Sequence, residues 1–170
     1  MLEKRSTLAG MLKNWVFVYL GNLVGSLIVV GLTVYGGVFA GSETAAALVT
    51  TAAGKTGLSF GDAVLKGVLC NFLVCIAVWM SFAPKSVEGK ILAVFFPIMA
   101  FVISGFEHSV ANMFYLPAGL LTAARYSIEA PGLTLGNALV HNLLPVTIGN
   151  IIGGMLLVGC GYFAVYRRKQ

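Results

Sequence analysis

Three long stretches of this sequence contain no Asp, Glu, Lys or Arg, and they are the feature that most restricts its fold. The stretches are residues 14–42, 67–84 and 130–166. A helix needs about 20 apolar residues to cross a hydrocarbon core about 30 Å thick. Only 10% of the 170 residues are charged, whereas soluble domains average roughly 25%. The sequence therefore predicts an all-α membrane protein, which disfavours a soluble enzyme and excludes a disordered chain.

One membrane domain over residues 1–170 is predicted, with four spans. The spans are residues 14–40, 64–83, 91–124 and 137–166. The third differs from the others, because a continuous helix of its length would reach roughly 50 Å. Its middle contains Glu107 and His108, and polar groups between two short apolar halves are typical of a broken membrane helix. We therefore predict an interruption near 104–108.

Basic residues are unevenly distributed between the two sides that four spans define. One side has Lys4, Arg5, Lys13, Lys85, Lys90, Arg167, Arg168 and Lys169. The other side has Lys55, Lys66 and Arg125. Cytoplasmic segments of membrane proteins carry the excess of Lys and Arg. Both termini are therefore predicted to be cytoplasmic in the cell (inner) membrane, with loops near 41–63 and 125–136 facing outward. This location also accounts for the net charge of +5, so no nucleic-acid partner is expected.

No feature of the sequence indicates a metal site, a cofactor or an enzyme. Cys70, Cys75 and Cys160 all lie in apolar runs, at spacings that match neither a zinc site nor a disulfide framework. They are interpreted as small buried apolar side chains. The adjacent Glu107 and His108 lack the H-E-x-x-H spacing of a zinc protease. A membrane-embedded enzyme is therefore disfavoured.

A short internal repeat links the first and last predicted spans. The segment KNWVFVYLGNLVGSL at 13–27 aligns without gaps on HNLLPVTIGNIIGGM at 141–155. The identical pairs are Asn14/Asn142, Val18/Val146, Gly21/Gly149, Asn22/Asn150 and Gly25/Gly153. In the predicted topology the two copies run in opposite directions, as inverted transporter repeats do. The second copy lies in the last of the three spans between residues 64 and 166, whereas no predicted span precedes the first copy. Either the similarity is accidental or two spans are missing before the first copy. We favour the second interpretation.

The pair Glu107 and His108 is the sharpest candidate for chemistry. Ionisable residues inside a membrane segment are costly unless they face a cavity or the protein interior. Imidazole exchanges protons near neutral pH and can stabilise an anion in an apolar passage. The alternative is structural, because the two side chains can also satisfy each other and the backbone of a broken helix.

Three motifs make the sequence closely resemble a known family over nearly its whole length. They are GFEHSVANMFYLP at 105–117, LPVTIGNIIGG at 144–154 and N-x-x-V-C-x-A-V-W-M at 71–80. They resemble the formate/nitrite transporter family of pentameric anion channels. The resemblance implies an aquaporin-like inverted-repeat bundle of six helices, of which this chain would supply the last four. It also implies a homopentamer with one pore per protomer.

The resemblance implies roles for individual residues along a substrate path. His108 matches the central pore histidine, and Phe101 matches an aromatic constriction in the same span. Asn71 and Asn150 match polar residues on the pore side, and Lys55 matches a basic residue of the outward vestibule. The alternatives are a lipid-facing or core Phe101, a packing amide at Asn71 and a solvated Lys55. Glu107 is included in the path because it adjoins His108.

The expected function is passage of small monovalent anions, formate or nitrite, or of their acids, across the membrane. Two alternatives stay open: a hydrosulfide channel of the same family, and a truncated fragment that does not transport. The expected partners are the anionic substrate, the lipid bilayer and four further copies of the chain.

Overall fold

The structure, a computed structural model, describes residues 7–167, except for the side chain of Arg167. Every regular secondary-structure element within these residues is a helix. The helices are α1 (Leu8–Tyr35), α2 (Ser42–Thr56), α3 (Phe60–Met80), α4 (Val87–Ile103), α5 (Ser109–Tyr126) and α6 (Leu135–Tyr166). The all-helical prediction is confirmed. The charges expected at Lys4, Arg5, Arg168 and Lys169 lie outside the described residues.

Three of these helices are long and apolar enough to cross a membrane, judged by length and composition alone. They are α1, α3 and α6. α6 contains two π-helical stretches, Ala138–Leu143 and Ile152–Cys160. Such stretches are frequent near functional sites. Here they flank the regular α-helical turns Leu144–Ile151, which include Asn150.

The described residues form two compact units, and the first comprises residues 7–57 and 110–139. Its core contains Val30 and Val34 of α1, packed with Leu48 of α2 and Ala118 of α5. A Cβ atom built on Gly119 would lie 2.3 Å from the Ala52 Cβ atom. Glycine at this position therefore allows α5 to approach α2 closely.

Helix α2 is not predicted from the sequence, because the segment near 41–63 is interpreted there as an outward loop. Its buried residues are Ala45, Leu48, Val49, Ala52 and Thr56. Spacings of three and four place them on one face of a helix. The opposite face includes polar residues, and the helix is only 15 residues long. It therefore has the pattern of an amphipathic helix and lacks the long apolar run of a span.

The second unit comprises residues 58–109 and 140–167, and α3 and α6 pack within it as parallel neighbours. A Cβ atom on Gly149 would lie 2.2 Å from the Val64 carbonyl oxygen. A Cβ atom on Gly153 would lie 2.2 Å from the Val68 carbonyl oxygen. Both contacts advance by four residues in the same direction, so the helices are parallel. Small residues are what allow membrane helices to pack this closely.

The chain leaves the helical conformation at residues 104–108, where the sequence predicts the interruption. α4 ends at Ile103, and Gly105 has a φ angle of +64°. This left-handed conformation favours glycine, because it has no Cβ atom to clash. The turn directs Glu107 and His108 out of the helix axis just before α5 begins.

Candidate functional site

Asn150 is the centre of a buried hydrogen-bond network that holds the interrupted segment. Its side-chain Nδ2 donates to the carbonyl oxygens of Gly67, at 2.9 Å, and Glu107, at 3.0 Å. Its Oδ1 accepts from the backbone N–H of Ser109 at 2.9 Å. The first N–H groups of a helix have no partner within that helix. One side chain of α6 therefore satisfies backbone groups of α3, of the interruption and of the first residue of α5.

Glu107 is almost entirely buried, with 4% of its surface exposed. Asn142 Nδ2 donates to its Oε2 at 3.2 Å, and the Glu107 backbone N–H donates to the Lys66 carbonyl oxygen at 3.4 Å. A buried carboxyl group is costly unless it has hydrogen-bond partners. These contacts fix Glu107 between α3 and α6, and its neighbour His108 is oriented by the same backbone.

His108 is only partly buried, and an aromatic ring lies beside it. The centroids of the His108 and Phe101 rings are 6.0 Å apart, and their planes form an angle of 30°. The imidazole therefore has one apolar neighbour from the last turns of α4. A polar, titratable ring next to an apolar wall is an arrangement that can receive a small anion or exchange a proton with it.

Asn71 binds the backbone of α6. Its Nδ2 donates to the Asn150 carbonyl oxygen at 2.6 Å, and a Cβ atom on Gly154 would lie 2.6 Å from the same nitrogen. This contact corresponds to the packing amide that was considered as the alternative for Asn71. Its predicted place on a substrate path stays a prediction.

Lys55 belongs to the first unit and lies in the last turn of α2. Its Nζ atom is 5.6 Å from the centroid of the Tyr115 ring, which is within range of a cation–π interaction. The last turn of a helix also favours a cation, because the dipole is negative there. The predicted role of Lys55 in attracting anions stays a prediction.

The second unit thus brings together five of the predicted residues: Asn71, Phe101, Glu107, His108 and Asn150. Two residues that complete the network, Asn142 and Ser109, were not predicted as site residues. The internal repeat was the available signal for Asn142, because it aligns with Asn14. Within residues 7–167 no three His, Cys, Asp or Glu side chains cluster as metal ligands.

Comparison with known proteins identifies the family. Residues 1–164 match the family model "Formate/nitrite transporter". The chain is 43% identical, over an alignment of 179 positions, to "Formate channel FocA" of Escherichia coli (strain K12), covering 98% of this chain and 63% of that protein. It is 38% identical over 184 residues to "Probable formate transporter" of Methanothermobacter thermautotrophicus, covering 99% of this chain and 64% of that protein. The chain thus spans slightly less than two thirds of these relatives.

Solved structures show the same similarity. The chain superposes with a TM-score of 0.83 and 35% identity on "Pentameric formate channel with formate bound", covering 91% of this chain and 66% of that one. The TM-score is also 0.83, at 34% identity, for "FNT family ion channel", covering 94% of this chain and 61% of that one. The relatives are channels and transporters, and the resemblance stated from the motifs is confirmed. This chain belongs to the formate/nitrite transporter family.

Proposed function

We propose that this chain forms the histidine-containing part of a passage for small monovalent anions, formate or nitrite, across the cell (inner) membrane. The observation that carries the proposal is the placement of His108. Its imidazole stands partly exposed beside Phe101, on a segment that Asn150 holds with three hydrogen bonds. The names of the relatives support formate as the first substrate to test.

The mechanism follows from the cost of desolvation. A bare anion loses its hydration in an apolar constriction, whereas its neutral acid loses much less. Lys55 attracts the anion at the outward side, which raises its local concentration. His108 then stabilises the anion or donates a proton to it, and the neutral acid passes the Phe101 ring.

The buried polar residues contribute by positioning. The amides of Asn71 and Asn150 are engaged with backbone groups of the second unit, so we assign them to holding the interruption and the adjoining helix. Glu107 is held by Asn142 and fixes the direction in which its neighbour His108 projects. No bond is made or broken in the substrate apart from proton exchange, so the proposed protein is a channel without a cofactor, not an enzyme.

We also propose that the functional protomer is an aquaporin-like bundle of two inverted three-helix repeats, assembled as a homopentamer with both termini cytoplasmic. The repeat supports this architecture. In α6, Gly149 and Gly153 are in close contact with α3, whereas a Cβ atom on Gly21 or Gly25 of α1 would meet no atom of the described residues within 4 Å. The equivalent face of α1 is therefore available for a helix that corresponds to α3. Such a helix belongs to the two spans that this chain lacks in the proposal.

The experiment is anion flux into liposomes that contain the purified chain. Formate, nitrite and hydrosulfide are compared at about pH 5.5 and about pH 7.5, on either side of the pH near 6.5 at which a free histidine titrates. His108→Ala is the test variant. His141→Ala is the matched control, because His141 is the other histidine and is exposed.

Flux above that of empty liposomes, lost in His108→Ala and retained in His141→Ala, supports the proposal. A preference for hydrosulfide would favour the alternative substrate. Absence of flux from inserted protein would refute passage through this chain alone and favour the alternative of a non-transporting fragment.

A further inference from the structure

One face of α4 forms an open apolar groove. Side chains that recur every three or four residues from Val87 to Val102 line it, including Ile91, Phe95 and Met99. All of its lining residues belong to α4, so it is the open face of a single helix and not an enclosed cavity. At 1.5 Å per residue its length is about 22 Å. Ile91 is 61% exposed and Val102 is 61% exposed, so an apolar occupant would cover a large apolar surface.

The groove has a positive charge at one end. Lys90 is among its lining residues, and the exposed Lys85 precedes α4. The acidic residue in the first turn of α4 is Glu88. Its pKa is held below the usual value by its own backbone N–H and by a hydrogen bond with Ser86, so it stays an ionised carboxylate. The two lysines outnumber this one carboxylate, so the charge at this end of the groove is positive on balance.

An aromatic cluster places this end of the second unit at the level of lipid headgroups. The Trp79 ring centroid lies 4.4 Å from that of Tyr162 and 5.8 Å from that of Tyr166. The three side chains are at the shared C-terminal end of the parallel helices α3 and α6. Trp and Tyr are enriched at membrane–water interfaces. Since only residues 81–86 separate α3 from α4, the lysine end of the groove lies near the same level.

The side chains of the groove favour a lipid over a protein helix. Membrane helices pack through small residues that let their backbones approach, as Gly149 and Gly153 do in the contact of α6 with α3. The groove of α4 is lined by valine, isoleucine, phenylalanine, methionine and one lysine, without any small residue. An acyl chain can fill such a surface without close contact between backbones. One leaflet of the bilayer is about 15 Å thick, which accommodates most of the length of the groove.

We propose that the α4 groove binds one acyl chain of an anionic phospholipid, whose phosphate group is held by Lys90 and Lys85. The site lies on the surface of the second unit and does not include His108 or its neighbours. The proposal requires that α4 is embedded in the bilayer, but it does not depend on anion passage. A failure of the flux experiment therefore leaves it intact.

The first test uses native mass spectrometry of the full chain released from mixed lipid. Phosphatidylglycerol and phosphatidylcholine are compared for the unmodified chain, Lys90→Gln and Lys13→Gln. Each basic residue near an anionic surface accounts for about a fivefold change in affinity. Because Lys90 lines the groove and Lys13 does not, we expect Lys90→Gln to weaken phosphatidylglycerol binding about fivefold more than Lys13→Gln does. Lys13 is matched to Lys90, because both are exposed and both are predicted on the cytoplasmic side.

The second test locates the acyl chain. A tryptophan reporter is introduced as Val94→Trp after Trp15 and Trp79 are replaced by Phe, and quenching by lipids with brominated acyl chains is measured. We expect stronger quenching by brominated phosphatidylglycerol than by brominated phosphatidylcholine, with the difference lost in Lys90→Gln. Val24→Trp on α1 is the control, because Val24 is 57% exposed and should be quenched equally by both lipids.

Three results would overturn the proposal. Equal loss of binding in Lys13→Gln and Lys90→Gln would show a general effect of surface charge. Equal quenching at Val94→Trp by the two lipids would show contact with bulk lipid only. Absence of quenching by either lipid would show that a protein helix covers the groove.

Discussion

Replacement of Asn150 by alanine tests whether one side chain holds the interrupted segment in place. Asn150 has 7% of its surface exposed. The change removes its bonds to Gly67, Glu107 and Ser109. It leaves two carbonyl groups and one N–H group in a buried region without their side-chain partner.

The expected loss follows from the number of bonds. A hydrogen bond within a protein contributes about 1 kcal/mol net, and a buried group left unsatisfied costs about 1–3 kcal/mol. Three bonds therefore predict a loss of about 3 kcal/mol in the free energy of unfolding. Some of it is regained where water enters the space of the missing amide. We expect the loss to be accompanied by altered flux, because His108 lies on the released segment.

The control is Asn22→Ala, since Asn22 is the residue that aligns with Asn150 in the internal repeat. Asn22 is partly buried, and its Nδ2 donates to the Val18 carbonyl oxygen at 2.9 Å within the same helix. A substitution away from the buried network changes stability by about 0.5 kcal/mol or less. Equilibrium unfolding in detergent micelles, followed by circular dichroism, measures both variants. A loss below about 1 kcal/mol for Asn150→Ala, or an equal loss for Asn22→Ala, would refute the reasoning.

Three further predictions concern single positions. Gly149→Ala should destabilise the chain by about 1–3 kcal/mol, since the new Cβ atom would lie 2.2 Å from the Val64 carbonyl oxygen, whereas Gly21→Ala has open space and should not. Equal unfolding midpoints would contradict this. Thr122→Val should raise stability by about 1 kcal/mol, because Oγ1 of this fully buried residue has no hydrogen-bond partner within the described residues; a lower midpoint would be evidence against it. His108→Phe should alter anion flux and its pH dependence, and unchanged flux between about pH 5 and pH 8 would contradict the assigned role.

The site could be predicted only in part. The sequence pointed to His108 and Glu107 because ionisable residues stand out in apolar runs, and the family resemblance pointed to Asn71, Phe101 and Asn150. No sequence pattern indicated that Asn150 binds the backbone at Gly67, Glu107 and Ser109. These residues lie 83, 43 and 41 positions from Asn150 in the sequence. Backbone groups look identical at every residue, so their partners are visible only in three dimensions.

Helix α2 illustrates a second limit. Its apolar positions recur with helical spacing, but the segment also includes Glu43, Lys55 and several threonines. A search for long uncharged runs interprets such a segment as a loop. The contact of Ala52 with Gly119 of α5 is what gives its apolar face a partner. The burial of a short amphipathic helix thus depends on a neighbour that lies far away in the sequence.

The sequence by itself indicated that the chain belongs in a lipid bilayer, and it determined the class of fold and the family. Uncharged runs of this length are stable only in a bilayer, and the motifs at 105–117 and 144–154 identify the family. The tertiary structure decided which residues hold the interruption and how closely α3 and α6 pack. The physical reason is that hydrophobicity is a property of each residue, whereas a hydrogen bond or a glycine contact is a property of two backbones brought together by folding.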